Sequence, residues 1–370
     1  MILKSVSIVN FKNHESLKAN FSNSINCFLG NNGVGKTNLL DAIYYLSFCK
    51  SYYNSIEMDN VNYGHDFFML KGVFIDKNSS EFVVNGSLKN KQKLFQWNNK
   101  KYDKLSNHIG KVPLVISTPI DGNIIIGGGE ERRKFINKFI SQLDKDYLMN
   151  LISYNRTLKQ RNMLLKESNN FDFNEDLMNT YDVKISNFAK IIHRKRKEFV
   201  SLILNNVQSY YDIISQNNES ISIAYQSELN DYSLQELLAK NREKDRFLKH
   251  TSSGVHRDDF VFKINDYSLK KSGSQGQQKT FLIALKFGYF DVLKTSLNIT
   301  PLLLLDDIFD KLDSSRVEQI IRIINKNEFG QIFITDTSYS RIDTIMDKVN
   351  SDCKYFIFDK NGVYEEKFKK

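Results

Sequence analysis

Three features of this 370-residue chain predict an α/β fold, a phosphate-loop head of mixed sheet and helices carrying an inserted α-helical arm. Residues 30–37 read Gly-Asn-Asn-Gly-Val-Gly-Lys-Thr between an apolar strand and a helix-spaced segment. Leu302–Leu305 is a continuous apolar run that ends in Asp306 and Asp307. Between residue 130 and about 215 the spacing is that of long helices, whereas strand patterns dominate before it and helix–strand alternation follows.

The loop comes first because its context decides its meaning. Gly30, Gly35, Lys36 and Thr37 satisfy Gly-x4-Gly-Lys-Ser/Thr. Ser24-Ile-Asn-Cys-Phe-Leu29 reads as a short strand before it, and Asn38 to Phe48 as a helix after it. Glycines let successive backbone N–H groups of Gly30, Asn31, Asn32, Gly33 and Val34 point into a concave nest, and the following helix aims its positive end there. Lys36 is expected to neutralise the β- and γ-phosphates of ATP, and the Thr37 hydroxyl to ligate Mg²⁺.

The elements then follow in order. Residues 1–10 alternate in the manner of a first strand and do not resemble a cleaved leader. Phe67–Ile75, Glu81–Val84 with an Asn85-Gly86 turn, and Leu94–Trp97 with an Asn98-Asn99 turn predict consecutive antiparallel strands. Val112–Ile116 reads as another buried strand. Leu148, Leu151, Ile152, Leu158, Leu164 and Leu165 recur on a helical face, and Phe188–Val207 repeats the pattern. Strands return at Ser222–Tyr225 and Asp259–Phe262. Beyond them Gln275–Leu293 and Ser314–Asn325 predict helices, with strands at Leu302–Leu305 and Gln331–Thr335. The expected division is a head of residues 1–129 and 250–370, interrupted by a mainly helical insertion at 130–249.

Two further motifs complete a nucleotide site. An uninterrupted apolar run is what a strand buried on both faces needs, and acids at its C-terminal end fall where open α/β sheets bind ligands. Asp306 is expected to hold Mg²⁺ or its water shell, with Asp307 beside the γ-phosphate, orienting or deprotonating the attacking water. Ser272-Gly-Ser274-Gln-Gly276-Gln277-Gln278 opens a helix, and its serine, glycine and free N–H groups form a second anion site. Asp310-Lys-Leu312-Asp313 follows the acidic pair as a loop able to reach across an interface.

Composition restricts the classes. No apolar run approaches the roughly 20 residues of a membrane helix. Cys27, Cys49 and Cys353 are scattered, with no Cys-x-x-Cys, which speaks against a disulfide scaffold or zinc ribbon and suits a reducing cytoplasm. A net charge of +9 favours a polyanionic partner, most simply nucleic acid.

The loop, the Ser274 turn, the acidic strand and the loop after it, in that order, resemble the ATP-binding-cassette ATPases. That resemblance implies two heads sandwiching ATP, with Ser274, Gly276 and Gln277 contacting nucleotide held by the other copy. Three departures imply slow turnover: Asp307 replaces the usual glutamate, Thr335-Asp336-Thr337 replaces the switch histidine, and no glutamine stands out for the Mg²⁺-linked loop.

A closer likeness rests on Asn10-Phe-Lys-Asn-His14, Gly35-Lys-Thr-Asn-Leu-Leu-Asp-Ala-Ile-Tyr-Tyr45, Glu131-Arg-Arg-Lys-Phe135, Leu158-Lys-Gln-Arg-Asn162, Gly254-Val-His-Arg-Asp-Asp259 and Ser274-Gln-Gly-Gln-Gln278. Together they resemble the RecF family of bacterial recombination mediators, in its SMC-like ATPase branch. Val255 stands where that family usually has proline. The resemblance implies an ATP-driven homodimer that binds gapped or single-stranded DNA and works with RecR and RecO. It would help load recombinase during replication and repair and serve SOS induction.

For DNA contact the candidate residues are Lys89, Lys91 and Lys93, expected to share one strand face, and Arg194 and Lys195 on the helical arm. His256-Arg257-Asp258-Asp259 reads either as a nucleotide or DNA contact or as a salt-bridged turn. Two other functions stay open at this point, a transporter's nucleotide-binding subunit and a phosphate-loop phosphotransferase.

Overall fold

The computed structural model describes residues 1–167, 174–216, 219–310, 312–326, 329–349, 352–359 and 362–369. The chain forms two compact units. The first holds residues 1–121, 210–216 and 280–370, and the second holds 122–209 and 217–279.

The strands in chain order are β1 Ile2–Phe11, β2 His14–Asn20, β3 Ile25–Leu29, β4 Phe67–Ile75, β5 Glu81–Lys89, β6 Gln92–Trp97, β7 Lys100–Lys101 and β8 Leu114–Ser117. They continue as β9 Ile221–Gln226, β10 Asp259–Ile264, β11 Tyr267–Ser268, β12 Leu302–Asp306, β13 Ile332–Asp336, β14 Cys353–Asp359 and β15 Gly362–Lys369.

In the first unit, β2-β1-β4-β5-β6-β7 form an antiparallel sheet, and β15-β14-β3-β13-β12-β8 form a second sheet. The neighbours from β14 through β8 are parallel, and only the edge strand β15 runs antiparallel. Leu302, Leu303, Leu304 and Leu305 of β12 are all fully buried, as a strand covered on both faces demands.

The helix Lys36–Phe48 packs against β1, β4 and β5 of one sheet and against β8, β12 and β13 of the other. It therefore buries Leu39, Leu40, Ala42, Ile43, Tyr44, Tyr45 and Leu46 on every side and has no polar face. Gln331 stitches the two sheets at their edge. Its side-chain amide donates to Leu3 O and Ser22 O, both at 2.8 Å, and its carbonyl accepts Leu3 N–H at 2.7 Å.

The expected Asn85-Gly86 turn is absent, and β5 runs straight through it. Gly86 lies opposite Leu70 on one side and Phe95 on the other, and the Phe95 ring occupies the space a side chain would need. The glycine serves cross-strand packing in a central strand, and the hairpin forms later at Asn90 and Lys91, both at positive φ.

The second unit contains helices Gly129–Leu143 and Lys145–Glu167, most of the long helix Glu175–Ser215, and the small sheet β11-β10-β9. Its core is braced by buried charge. Arg161 donates to Asp182 at 2.7 Å, and to Asp245 and Thr251 at 2.8 and 2.9 Å. Arg196 reaches Asp258 and the Val255 carbonyl, both at 2.7 Å. Asp259 takes a two-pronged ion pair from Arg132.

Candidate functional site

The C-terminal ends of β3, β12 and β13 lie side by side in the parallel sheet, with Asp306 in register with Thr335 and Leu29 with Asp336. This is the edge where such sheets receive ligands. A cavity of about 230 Å³ opens there. It is lined by Asn32, Gly33 and Gly35 from the loop after β3, by Lys36 and Thr37 at the start of the following helix, by Asp306 and Asp336 at the strand ends, and by Asp307 just beyond β12.

The loop needs its glycines for two different reasons. Gly30 sits at φ 147° with the Phe358 carbonyl of β14 against its Cα, so any side chain would collide with backbone. Gly35 sits at φ 108°, walled by Asn13 and His14. The His14 imidazole Nε2 lies 3.0 Å from the Gly35 carbonyl, an acceptor, so that nitrogen carries the proton. Burial lowers the His14 pKa, which keeps the ring neutral in that role.

Lys12 and Asn13 extend the same grip. Lys12 pairs with the buried Asp41 at 2.6 Å, and the Asn38 amide donates to Asn13 at 2.7 Å. The Asn10–His14 motif is thus a clasp on the loop and its helix. Its spacing alone gave no hint of that task.

Lys36 donates to the Gly30 and Asn31 carbonyls at 2.6 and 2.8 Å. Burial lowers its pKa, opposed by Asp306, Asp307 and Asp336. The Thr37 hydroxyl lies 3.0 Å from Asp306 Oδ1. The same oxygen accepts the Thr335 hydroxyl at 2.6 Å, and Oδ2 accepts the Tyr53 phenol at 2.6 Å. Asp306 is therefore held from three sides. Tyr53, in the segment after the Lys36–Phe48 helix, belongs to no motif and was not among the residues singled out from sequence.

Asp307 differs. Its backbone is left-handed at φ 48°, and its N–H donates to Thr335 Oγ1 at 3.0 Å. Its Oδ1 is buried without a hydrogen-bond donor, and the Arg341 guanidinium stays 3.9 Å away because Asp336 holds it at 2.7 Å. Burial first, then the charges of Asp336 and Asp310, raise the Asp307 pKa. A strained residue that lines a cavity and keeps an orphaned buried acceptor is a recognisable mark of a working site.

The remaining candidates lie elsewhere. Ser274, Gly276 and Gln277 belong to the second unit. There Ser274 is exposed and caps the helix Gln275–Leu297 reciprocally: Gln277 N–H donates to Ser274 Oγ at 3.2 Å, and Ser274 N–H to Gln277 Oε1 at 2.9 Å. Asp313 caps the helix Ser314–Asn325 through the Arg316 N–H at 2.9 Å, and Lys311 of that loop lies outside the described residues.

Lys89, Lys91 and Lys93 do not share a strand face. Lys89 ends β5, Lys91 forms the turn, and Lys93 on β6 turns inward to Glu57 and to the Cys49 carbonyl at 2.8 Å. Lys195 is paired with Asp144 at 2.6 Å, while Arg194 is exposed beside Glu198. In the His256–Asp259 cluster the two aspartates are committed to Arg196 and Arg132, and His256 Nδ1 to the Tyr154 phenol at 2.6 Å.

The family model of the RecF/RecN/SMC N terminal domain matches residues 2–351. The DNA replication and repair protein RecF of Phocaeicola vulgatus is 45% identical over 369 residues, covering 99% of each chain. The chain belongs to the RecF family. The relative of the same description from Flavobacterium johnsoniae is 43% identical, over 96% of this chain and 99% of its own. Among solved structures, the recombination mediator protein RecF-ATP in the RecFOR pathway superposes with a TM-score of 0.89 at 30% identity, covering 100% of this chain and 98% of its own. An Smc head domain from Pyrococcus furiosus, at TM-score 0.57 and 14% identity, shares the fold. The head is thus a cassette-type ATPase head, as the order of the sequence motifs implied. Among the described residues no helix is long and apolar enough to cross a membrane.

Proposed function

We propose that the chain is an ATP-dependent DNA-binding protein of replication and recombinational repair, in which ATP closes a homodimer and slow hydrolysis reopens it. One observation carries this reading: Lys36, Thr37, Asp306 and Asp307 meet in a single cavity at the C-terminal ends of adjacent parallel strands. The ATP-bound relative of the same fold supports ATP as the ligand.

In this reading the loop of residues 30–35 cradles the phosphates, and the Lys36 ammonium exchanges its loop carbonyls for phosphate oxygens. The Thr37 hydroxyl and Asp306 carboxylate, 3.0 Å apart, offer the hard oxygen donors that Mg²⁺ prefers. Among the described residues there is no group of three or more His, Cys, Asp or Glu able to hold a metal ion. Bound at Thr37 and Asp306, Mg²⁺ would supply charge neutralisation to the triphosphate. The Asp307 carboxylate, which lines the cavity and whose pKa is raised, takes the hydrogen of the attacking water.

Ser274, Gly276 and Gln277 of a second copy grip the triphosphate from outside, a role their exposed cap permits. The functional head therefore spans residues 1–129 and 250–370, with 130–249 as the insertion, although the Ser274 turn packs with the second unit. A ligand shared by two surfaces stabilises the closed pair, so ATP acts as a switch. DNA, gapped or single-stranded, binds through phosphate contacts in which exposed Lys89 and Lys91 are available; Arg194 is exposed but pairs with Glu198, and Lys93 and Lys195 are tied to carboxylates. Family likeness supports RecR and RecO as partners, recombinase loading, a part in SOS induction and a cytoplasmic site of action.

Light scattering tests the first step. The wild-type mass is expected to double with ATP and gapped DNA, and Lys36→Met to stay monomeric. A wild-type mass that ignores nucleotide overturns the reading.

A further inference from the structure

The segment after the Lys36–Phe48 helix is fastened back onto that helix. Asp41 accepts the Ser51 hydroxyl at 2.6 Å and the Tyr52 N–H at 2.7 Å, and pairs with Lys12 at 2.6 Å. The Lys12 ammonium also lies 5.2 Å from the centre of the Tyr53 ring, a cation–π distance. The two tyrosines then point to different acids. Tyr52 donates its phenol to Asp121, whereas Tyr53 donates to Asp306 Oδ2 at 2.6 Å.

We infer that Tyr53 is a positioning residue for the divalent cation: its hydroxyl fixes the rotation of the Asp306 carboxylate and leaves it aimed at the Thr37 hydroxyl. This deepens the proposed ATP site and rests on that reading. A carboxylate has two equivalent oxygens and rotates freely unless both are engaged. Thr335 and Thr37 hold Oδ1, and Tyr53 is the strongest contact on Oδ2, the second Thr37 distance being 3.3 Å. An ionised carboxylate only accepts, so the phenol is the donor in this contact. In this chain a tyrosine thus supplies the cation-linked contact for which the sequence offers no glutamine.

The test is thermal melting of the full chain with ATP while Mg²⁺ is titrated, for wild type, Tyr53→Phe and Tyr52→Phe. The last variant removes a neighbouring phenol that bonds Asp121 instead, and so controls for general loosening of the segment. In Tyr53→Phe the Mg²⁺ concentration for half-maximal stabilisation is expected to rise about tenfold, the usual cost of losing a group that orients a metal ligand. Its melting temperature without ligand and its response to ATP in EDTA should match wild type, and Tyr52→Phe should keep the wild-type Mg²⁺ midpoint. Equal midpoints in wild type and Tyr53→Phe, or an equal shift in both variants, overturn the role of Tyr53 alone. A wild type that responds to neither ATP nor Mg²⁺ overturns the site itself, and the role of Tyr53 with it.

Discussion

Thr335 joins the two acids of the site: its hydroxyl donates to Asp306 Oδ1 at 2.6 Å and accepts the backbone N–H of Asp307 at 3.0 Å. Thr335 begins the Thr-Asp-Thr run that stands where a switch histidine was expected. The hydroxyl sets the carboxylate of one residue and the backbone of the next, and has no proton to exchange near neutral pH. Thr335→Val, nearly the same shape, should lower kcat for ATP hydrolysis by about tenfold, as loss of an orienting hydrogen bond usually does. The KM for ATP should change little. Steady-state phosphate release checks this, and an unchanged kcat would remove Thr335 from the mechanism.

Asp307 carries a pH signature. Its folded-state pKa is raised, so the folded chain binds the proton more tightly than the unfolded chain. Stability should therefore fall as pH rises from the ordinary carboxylate range through the raised value, and stay lower above it. Asp307→Asn should melt higher than wild type at neutral pH, with the gap closing in acid below the unfolded pKa. Hydrolysis by the same variant should be lost. Melting curves across pH decide it: a variant less stable than wild type at pH 7 would contradict the desolvated, underbonded carboxylate described here.

Ser274 separates binding from association. Ser274→Arg removes a helix cap at a cost of about 1 kcal/mol and places bulk on the exposed turn. Under the proposed dimer, ATP-dependent mass increase should vanish while affinity for a fluorescent ATP analogue is retained. Ser274→Ala loses the same cap without the bulk, and its stability loss should match. A phosphotransferase acting as a monomer would keep its activity in Ser274→Arg.

The hairpin tip offers a test of nucleic-acid contact. Lys89 and Lys91 are exposed and free of carboxylate partners, unlike Lys93. If both meet phosphates, Lys89→Ala with Lys91→Ala should flatten the plot of log K against log salt by about two units. Filter binding to gapped DNA over a salt series measures the slope. An unaltered slope assigns the DNA surface elsewhere.

Legibility from sequence followed the physics of each segment. The helix Ser314–Asn325 was read at the residues it occupies, because Asp313 caps it and Ile320, Ile321 and Ile324 repeat at helical spacing toward the core. The four leucines of β12 were equally plain, since double-sided burial leaves no room for alternation. Asn85-Gly86 misled because a dipeptide that favours turns also suits a strand crossed by an aromatic ring. The lysine trio misled for the same local reason, the real turn falling inside it at Asn90 and Lys91. Within the site, the loop and acid pair announced themselves through strict spacing. Tyr53, Thr335 and the Lys12–His14 clasp did not, because contacts made across distant chain segments leave no periodic trace.

The helix Lys36–Phe48 is enclosed by sheets on both sides from Leu39 onward. Amide exchange at Leu39–Phe48 should await dissolution of the entire unit, among the slowest in the chain. Whatever happens to Lys36 therefore bears directly on Ser51–Tyr53, because that segment folds back onto Asp41 and Asp306 beside the same turn of the helix.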